Sequence, residues 1–168
     1  MQKDALQTLL TNAAAERLAL LQRHEAAARV VSHYDFNNTY QYVISREETH
    51  VSWLQNALAE FGLALPQPSP ALPAPVAPKV SKKVEPSAFR GILEEDARSL
   101  GEFALRWRPI ADSMEHARHK IMLNVVIGES LEHKRLFEQA AAGFEDVLGR
   151  RTAMAERVGA VLPTRWME

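Results

Sequence analysis

The stretch from Tyr40 to Leu54 reads YQYVISREETHVSWL, and its spacing decides how the chain folds. At 3.6 residues per turn, Glu47 and His50 fall on the same helix face as Tyr40 and Leu54. A carboxylate and an imidazole three positions apart are neighbours on that face. Burying an ionised carboxylate costs free energy unless a cation, a proton or a hydrogen-bond donor compensates it. The rest of the chain should supply that compensation.

Composition limits the classes of protein to consider. The chain has 168 residues, 46% of them hydrophobic, which is enough for one domain with a sizeable core. It has no Cys, so disulfides, zinc fingers and thiolate-held iron-sulfur clusters are excluded. A net charge of −1 offers no broad basic surface, and we expect no nucleic-acid partner. Without a signal peptide or a long apolar run, a cytoplasmic protein that does not contact the membrane is expected.

Helical periodicity extends over most of the chain and predicts an all-α fold. Four helices are expected, over residues 4–32, 38–61 and 86–108, and from 109 or 112 to 143 or 148. The Asp- and Asn-rich residues 33–38 are predicted to form the first turn, and Gly62 is predicted to end the second helix. The predicted domain is a four-helix bundle over residues 1–148, followed by a C-terminal tail over 149–168.

A proline-rich segment, residues 63–86, separates the two predicted helix pairs. Proline excludes helix there and favours an extended chain, which at ~3.1 Å per residue is long enough to cross the bundle. The alternative is a flexible tether between two unrelated hairpins. The repeated layout of the two halves favours a crossover within one bundle.

Each predicted helix carries an acid on or beside its apolar stripe. Five carboxylates would together offset two divalent cations, and oxygen-rich ligation with one or two imidazoles favours iron or manganese. The five are Glu16, Glu47, Asp96, Glu129 and Glu132.

Two motifs on these helices are similar to those of the ferritin-like superfamily, and within it to the rubrerythrin group. They are Glu47–His50 on the second helix and Glu129–Arg135 on the fourth. The resemblance implies two antiparallel hairpins joined by a long crossover, with a di-iron centre between them. It also implies that Glu16 is the first-helix ligand and Asp96 the third-helix ligand.

The resemblance leaves three points open. Glu95 could replace Asp96 as the third-helix ligand. His133 follows Glu129 by four residues, which suits a ligand, a residue behind the ligands or a surface residue. The chain has no Cys-rich electron-transfer domain, so turnover would require an external electron donor.

Two functions of different classes are therefore expected. The first is a di-metal protein holding two Fe ions, or Mn, that reacts with dioxygen or peroxide in iron handling or oxidative-stress defence; Tyr40 would then be a redox-active or hydrogen-bonding group. Its metal ligands would be Glu16, Glu47, His50, Asp96, Glu129, Glu132 and His133. The second is a metal-free helical module for dimerisation or for binding another protein.

A homodimer or higher homo-oligomer is expected in either case, with Trp53 and Trp107 in the core or at the interface. His24 and His119 lie off the predicted stripes and are expected at the surface or at an interface.

Overall fold

The computed structural model describes residues 2–70, 72–79 and 84–149. These residues form four long helices and one short 3-10 turn and contain no strand, so the predicted all-helical class is confirmed. None of the described helices is both long and apolar enough to span a bilayer. Apart from Gly149, the predicted tail lies outside the described residues. The elements are α1 Lys3–Val30, α2 Tyr34–Ala59, the 3-10 turn Pro86–Phe89, α3 Arg90–Asp112 and α4 Ala117–Ala141.

The helices pack as two neighbouring pairs. Helix α1 lies mainly against α2, and α3 lies mainly against α4. Each helix buries a stripe whose members alternate three and four residues apart, the spacing that keeps side chains on one face. In α1 this stripe is Leu6, Leu10, Ala13, Arg17, Leu20, His24 and Ala27.

The connection between α1 and α2 is shorter than the sequence predicts. Helix α2 begins at Tyr34, and the Nδ1 atom of His33 accepts a hydrogen bond from the backbone N–H of Phe36. Asn37 belongs to the first turn of α2, from which its amide donates to the carbonyl oxygens of Ala28 and Val31. The Asn side chain therefore closes the end of α1 from within the next helix and does not form a turn itself.

The predicted boundary at Arg108–Pro109 is wrong. Helix α3 continues through Pro109 to Asp112, and α4 begins only at Ala117. Proline lacks one backbone donor, but only the last turn of α3 lies beyond it, so the helix loses little. The alternative start at residue 112 is also wrong, because the residue that precedes α4 is His116, whose side chain makes no capping hydrogen bond.

The connection from α2 to α3 is extended, as predicted. Gly62 follows α2 with φ +73°, a conformation that glycine adopts without strain. No helix occurs among the described residues between Gly62 and Pro86. The segment is attached to α1 at two points: Ser69 N–H donates to the Ala15 carbonyl at 3.0 Å, and an Arg23 guanidinium nitrogen donates to the Pro73 carbonyl at 2.5 Å.

Candidate functional site

A cluster of charged and polar side chains interrupts the apolar core where the four helices meet. We call it the polar cluster. All four long helices contribute to it, and most of its members are fully or almost fully buried. Its residues are Arg17, Arg23 and His24 of α1, Tyr40, Arg46, Glu47 and His50 of α2, Asp96 of α3, and Glu129, Ser130 and His133 of α4.

The guanidinium of Arg17 lies at the centre of the polar cluster and is completely buried. Its Nη1 donates to Ser130 Oγ at 2.9 Å, and its Nη2 donates to Glu47 Oε1 at 3.3 Å. The same Nη2 is 3.2 Å from His50 Nδ1. The guanidinium carbon also lies 4.8 Å from the centre of the Phe103 ring, a favourable cation–π contact. A permanent positive charge thus occupies the space among α2, α3 and α4.

Both ring nitrogens of His50 are engaged. Arginine can only donate hydrogen bonds, so Nδ1 must accept from Arg17 and the proton must lie on Nε2. Nε2 then donates to Glu129 Oε2 at 2.6 Å. Burial lowers the pKa of His50 to about 4, and the charge of Arg17 contributes to this shift. His50 is therefore neutral near pH 7, in a single tautomer.

Glu47 is fully buried and has two cationic or donating neighbours. Besides Arg17, its carboxylate contacts His24, whose Nδ1 lies 2.8 Å from Oε2. Burial by itself would raise the pKa of Glu47, but His24 and Arg17 hold it below its usual range. Burial likewise opposes the charged form of His24, yet the charge and hydrogen bond of Glu47 outweigh it and raise the pKa of His24. Glu47 and His24 therefore stabilise each other's charged forms.

Asp96 is held by an arginine and a tyrosine. Arg23 Nε donates to Asp96 Oδ1 at 3.0 Å, and the Tyr40 hydroxyl donates to Asp96 Oδ2. His24 Nε2 is 3.7 Å from Oδ1, beyond hydrogen-bonding distance. Burial raises the pKa of Asp96, and burial together with the Asp96 charge raises the pKa of Tyr40 well above its ordinary value. Tyr40 is therefore protonated at neutral pH and serves Asp96 as a hydrogen-bond donor.

Glu129 lies at the edge of the polar cluster, with its side chain 29% exposed. Arg46 donates two hydrogen bonds to the Glu129 carboxylate, from Nε to Oε2 at 3.1 Å and from Nη2 to Oε1 at 2.8 Å. These bonds and the one from His50 hold its pKa below the usual range, although burial acts in the opposite direction. Each carboxylate of the polar cluster thus has its own guanidinium partner.

The predicted metal ligands separate into two groups. Glu47, His50, Asp96 and Glu129 belong to the polar cluster. His133 is buried beside His50, with ring centres 6.3 Å apart, and its Nδ1 has no hydrogen-bond partner among the described residues. Burial lowers its pKa to about 4.

The other two predicted ligands point elsewhere. Glu16 pairs with Arg106 at 2.6 Å, and Glu132 pairs with Arg135 at 3.0 Å. On α3, the alternative residue Glu95 pairs with exposed Arg98 at 2.5 Å, so Asp96 is the buried member of that pair of acids.

Sequence reasoning missed five members of the polar cluster: Arg17, Arg23, His24, Arg46 and Ser130. The surface position expected for His24 and His119 is wrong, since both are buried, and the alternative position at an interface stays a prediction. A signal for Arg17 and His24 was present, because both continue the three-four spacing of Leu6, Leu10 and Ala13. The predicted stripe passed instead through Glu16, which is rotated by about 100° from Arg17.

Most of the side chains that were expected to bind metal ions have hydrogen-bond partners within the protein. The three carboxylates already bind arginines, and the Nδ1 lone pair of His50 accepts from Arg17. Among the described residues, no three His, Asp or Glu side chains are grouped so as to hold a metal ion. What the polar cluster can do chemically is hold protons in fixed places, with His24 between Glu47 and Asp96.

Comparison of the chain with protein-family models, with curated proteins and with solved structures finds no match.

Proposed function

We propose that this chain is a ferritin-like four-helix bundle that works without a metal, as a module for protein–protein association. The observation that carries the proposal is the position of Arg17. Its guanidinium is fully buried and binds Glu47, His50 and Ser130 together. It therefore supplies the cation that the motif on α2 requires.

The spacing of residues across the helices supports this reading. In ferritin-like di-metal proteins, two helices each supply a Glu-x-x-His motif and the other two each supply a Glu. Here α2 has Glu47-x-x-His50, but the equivalent spacing on α4 is Ser130-x-x-His133. On α1, the side chains that meet Glu47 are those of Arg17 and His24. Two places that would hold carboxylates instead hold a hydroxyl and a positive charge.

Charge balance leads to the same conclusion. Glu47, Asp96 and Glu129 bring three negative charges, and three arginines bring three positive ones: Arg17, Arg23 and Arg46. Two divalent cations would add four more positive charges to a site whose three carboxylates already have three arginines and His24 beside them. Buried charges persist when they are paired and hydrogen-bonded, and each of these pairs meets both conditions.

A buried ionic network of this kind suits a structural role. Such networks are poor sources of net stability, but they can fix the register of packed helices, since a shifted arrangement leaves charges unpaired. In this chain the network ties Arg17 and His24 of α1 to Glu47 of α2. A bundle with a fixed register presents a defined outer surface, which is what an association module needs.

Metal analysis tests the proposal. We expect full-length protein from cells supplemented with iron and manganese to contain only trace metal after dialysis against a chelator. Binding of about one ion per chain or more in an anaerobic Fe(II) or Mn(II) titration would contradict it. The contradiction would be decisive if Glu47→Ala lost metal binding and Glu48→Ala retained it. Glu48 is the control because it is exposed and lies only one position from Glu47.

A second candidate function, metal binding by Glu47, His50, Glu129 and His133, is favoured by one specific observation. The Nδ1 atom of His133 is buried close to this group with no hydrogen-bond partner among the described residues. For these side chains to bind a cation, the guanidinium of Arg17 must first leave. The titration described above distinguishes the two candidates.

A further inference from the structure

We propose that two copies of this chain associate through the exposed face of α4 that carries Ile121, Val125 and Gly128, together with the groove that this face borders. We call this surface the α4 face. The proposal extends the association role proposed above by naming the partner, a second copy of the chain.

The α4 face is apolar, and the described residues leave it uncovered. Ile121 is 65% exposed and Val125 is 41% exposed, and both lie on one side of α4, one turn apart. A groove of about 390 Å³ runs beside them between α2 and α4. Trp53 and Met122 line it, and the buried side chain of His119 reaches it with neither ring nitrogen bonded within the described part of the chain. Surfaces of this composition commonly mark association sites.

The opposite side of the molecule is different. The extended connection from α2 to α3 lies along α1 there, attached through Ser69 and Pro73. Leu72 of this connection lines clefts beside α1 and α3. One side of the helical core is thus overlaid by the chain itself. The α4 face receives no such cover from the described residues.

Gly128 is the third feature of the α4 face. It lies in the middle of α4, on the same side as Ile121 and Val125, where glycine destabilises a helix relative to alanine. Nothing in the described part of the chain requires it, because an added Cβ atom would meet none of its atoms within 4 Å. A small residue at this point does allow the backbone of another helix to approach closely.

These features fit a second copy of the same surface. Ile121 and Gly128 lie on either side of Val125 along α4, so two antiparallel α4 helices that cross at Val125 place Ile121 of each copy against Gly128 of the other. The acidic residue and the arginine that line the groove, Glu60 and Arg118, are paired with each other. A surface with equal numbers of both signs complements itself and does not select a strongly charged partner.

Sedimentation velocity of the full chain provides the test, from about 1 to 100 µM. We expect a monomer–dimer equilibrium in this range, with Ile121→Glu raising the dissociation constant at least tenfold. The matched control is Leu105→Glu on α3, which also adds a carboxylate at an exposed apolar position, 79% exposed in this case. It should leave the dissociation constant unchanged. Thermal melting checks that both variants are folded, as expected for exposed positions.

Cysteine cross-linking locates the interface independently. The chain has no Cys, so a single introduced thiol can form only an intermolecular disulfide. Under mild oxidation, Val125→Cys should form a covalent dimer faster than Leu105→Cys. The inference would be overturned if the chain stayed monomeric at all protein concentrations from about 1 to 100 µM. This is the result expected if residues 150–168 or another protein occupy the groove. Equal effects of the two Glu variants, or equal cross-linking rates, would also overturn it. None of these outcomes bears on metal content, which tests the proposed function separately.

Discussion

Arg17 and Glu47 form a fully buried ion pair, with Nη2 of the guanidinium 3.3 Å from Oε1 of the carboxylate. The pair joins α1 to α2, and a second Arg17 hydrogen bond, to Ser130, extends the link to α4. Three of the four long helices are therefore connected through one side chain. This explains how a carboxylate persists at the centre of an otherwise apolar stripe.

Tyr40→Phe tests the second buried carboxylate. The substitution removes the hydroxyl that donates to Asp96 and keeps the ring, so one hydrogen bond to a buried charge is lost. We expect the free energy of unfolding in urea to fall by about 1–3 kcal/mol. Tyr34→Phe is the matched control, because Tyr34 is 77% exposed and should show almost no change. Equal stability of the two variants would mean that Asp96 does not depend on Tyr40.

The fold could be predicted from the sequence to the extent that apolar residues marked the buried faces. On α2 and α3 the predicted stripes are the buried ones, because Tyr40 and Leu54, and Phe103 and Trp107, have few apolar competitors on other faces. These stripes located Glu47, His50 and Asp96 correctly as buried residues.

On α1 and α4 the predicted stripes were displaced around the helix. Partly buried Leu9 drew the predicted α1 stripe towards Glu16. On α4, exposed Ile121 and Val125 drew it away from Ser130 and towards Glu129. Hydrophobicity by itself cannot distinguish a core face from an apolar outer face. A second difficulty was that Arg17 was assumed to be exposed, as most arginines are.

Acid pH should destabilise the fold through two imidazoles. His50 and His133 have pKa values of about 4 in the folded chain, against an ordinary value of 6.5. Between pH 4 and pH 6.5 the unfolded chain binds more protons than the folded chain. The contribution of these two imidazoles to the free energy of unfolding is therefore fully present above pH 6.5 and is lost as the pH falls towards 4. Each ring contributes on the order of 3 kcal/mol to this loss.

Urea unfolding at a series of pH values measures this effect. We expect His133→Gln to flatten the decline below pH 6.5, whereas His116→Gln, at an exposed position, should leave it unchanged. His24 acts in the opposite direction: its raised pKa gives stability that is present below pH 6.5 and lost as the pH rises through the folded value. An acid decline of the same slope in His133→Gln and in the parent chain would refute the assignment.

Arg17→Glu combined with Ser130→Glu should convert the polar cluster into a metal site. The two changes remove the central cation and create a second Glu-x-x-His spacing on α4, facing Glu47 and His50. In chelator we expect a lower melting temperature than that of the parent chain, because the carboxylates repel one another. Excess Mn(II) should raise the free energy of unfolding of this variant by about 2.7 kcal/mol when the Mn(II) concentration is 100 times the dissociation constant.

The control for this conversion is Arg98→Glu combined with Ser99→Glu. Arg98 is an exposed residue of α3, and the variant carries the same change in charge outside the polar cluster. It should not respond to Mn(II). If the double variant at Arg17 and Ser130 also failed to respond, these two positions would not be the ones that exclude metal.

The most direct test of the central claim, that Arg17 is the cation that compensates Glu47, is a double-mutant cycle of Arg17→Met and Glu47→Leu. The unfolding free energy is measured for all four proteins, first in chelator and then with excess Mn(II). Each single variant leaves a buried charge without its partner, so its unfolding free energy should fall by about 3–5 kcal/mol. Arg98→Met breaks only exposed pairs and should change the unfolding free energy little. We predict a coupling energy on the order of 3 kcal/mol that Mn(II) does not change. A coupling energy near zero, or a parent chain that Mn(II) stabilises, would contradict the account.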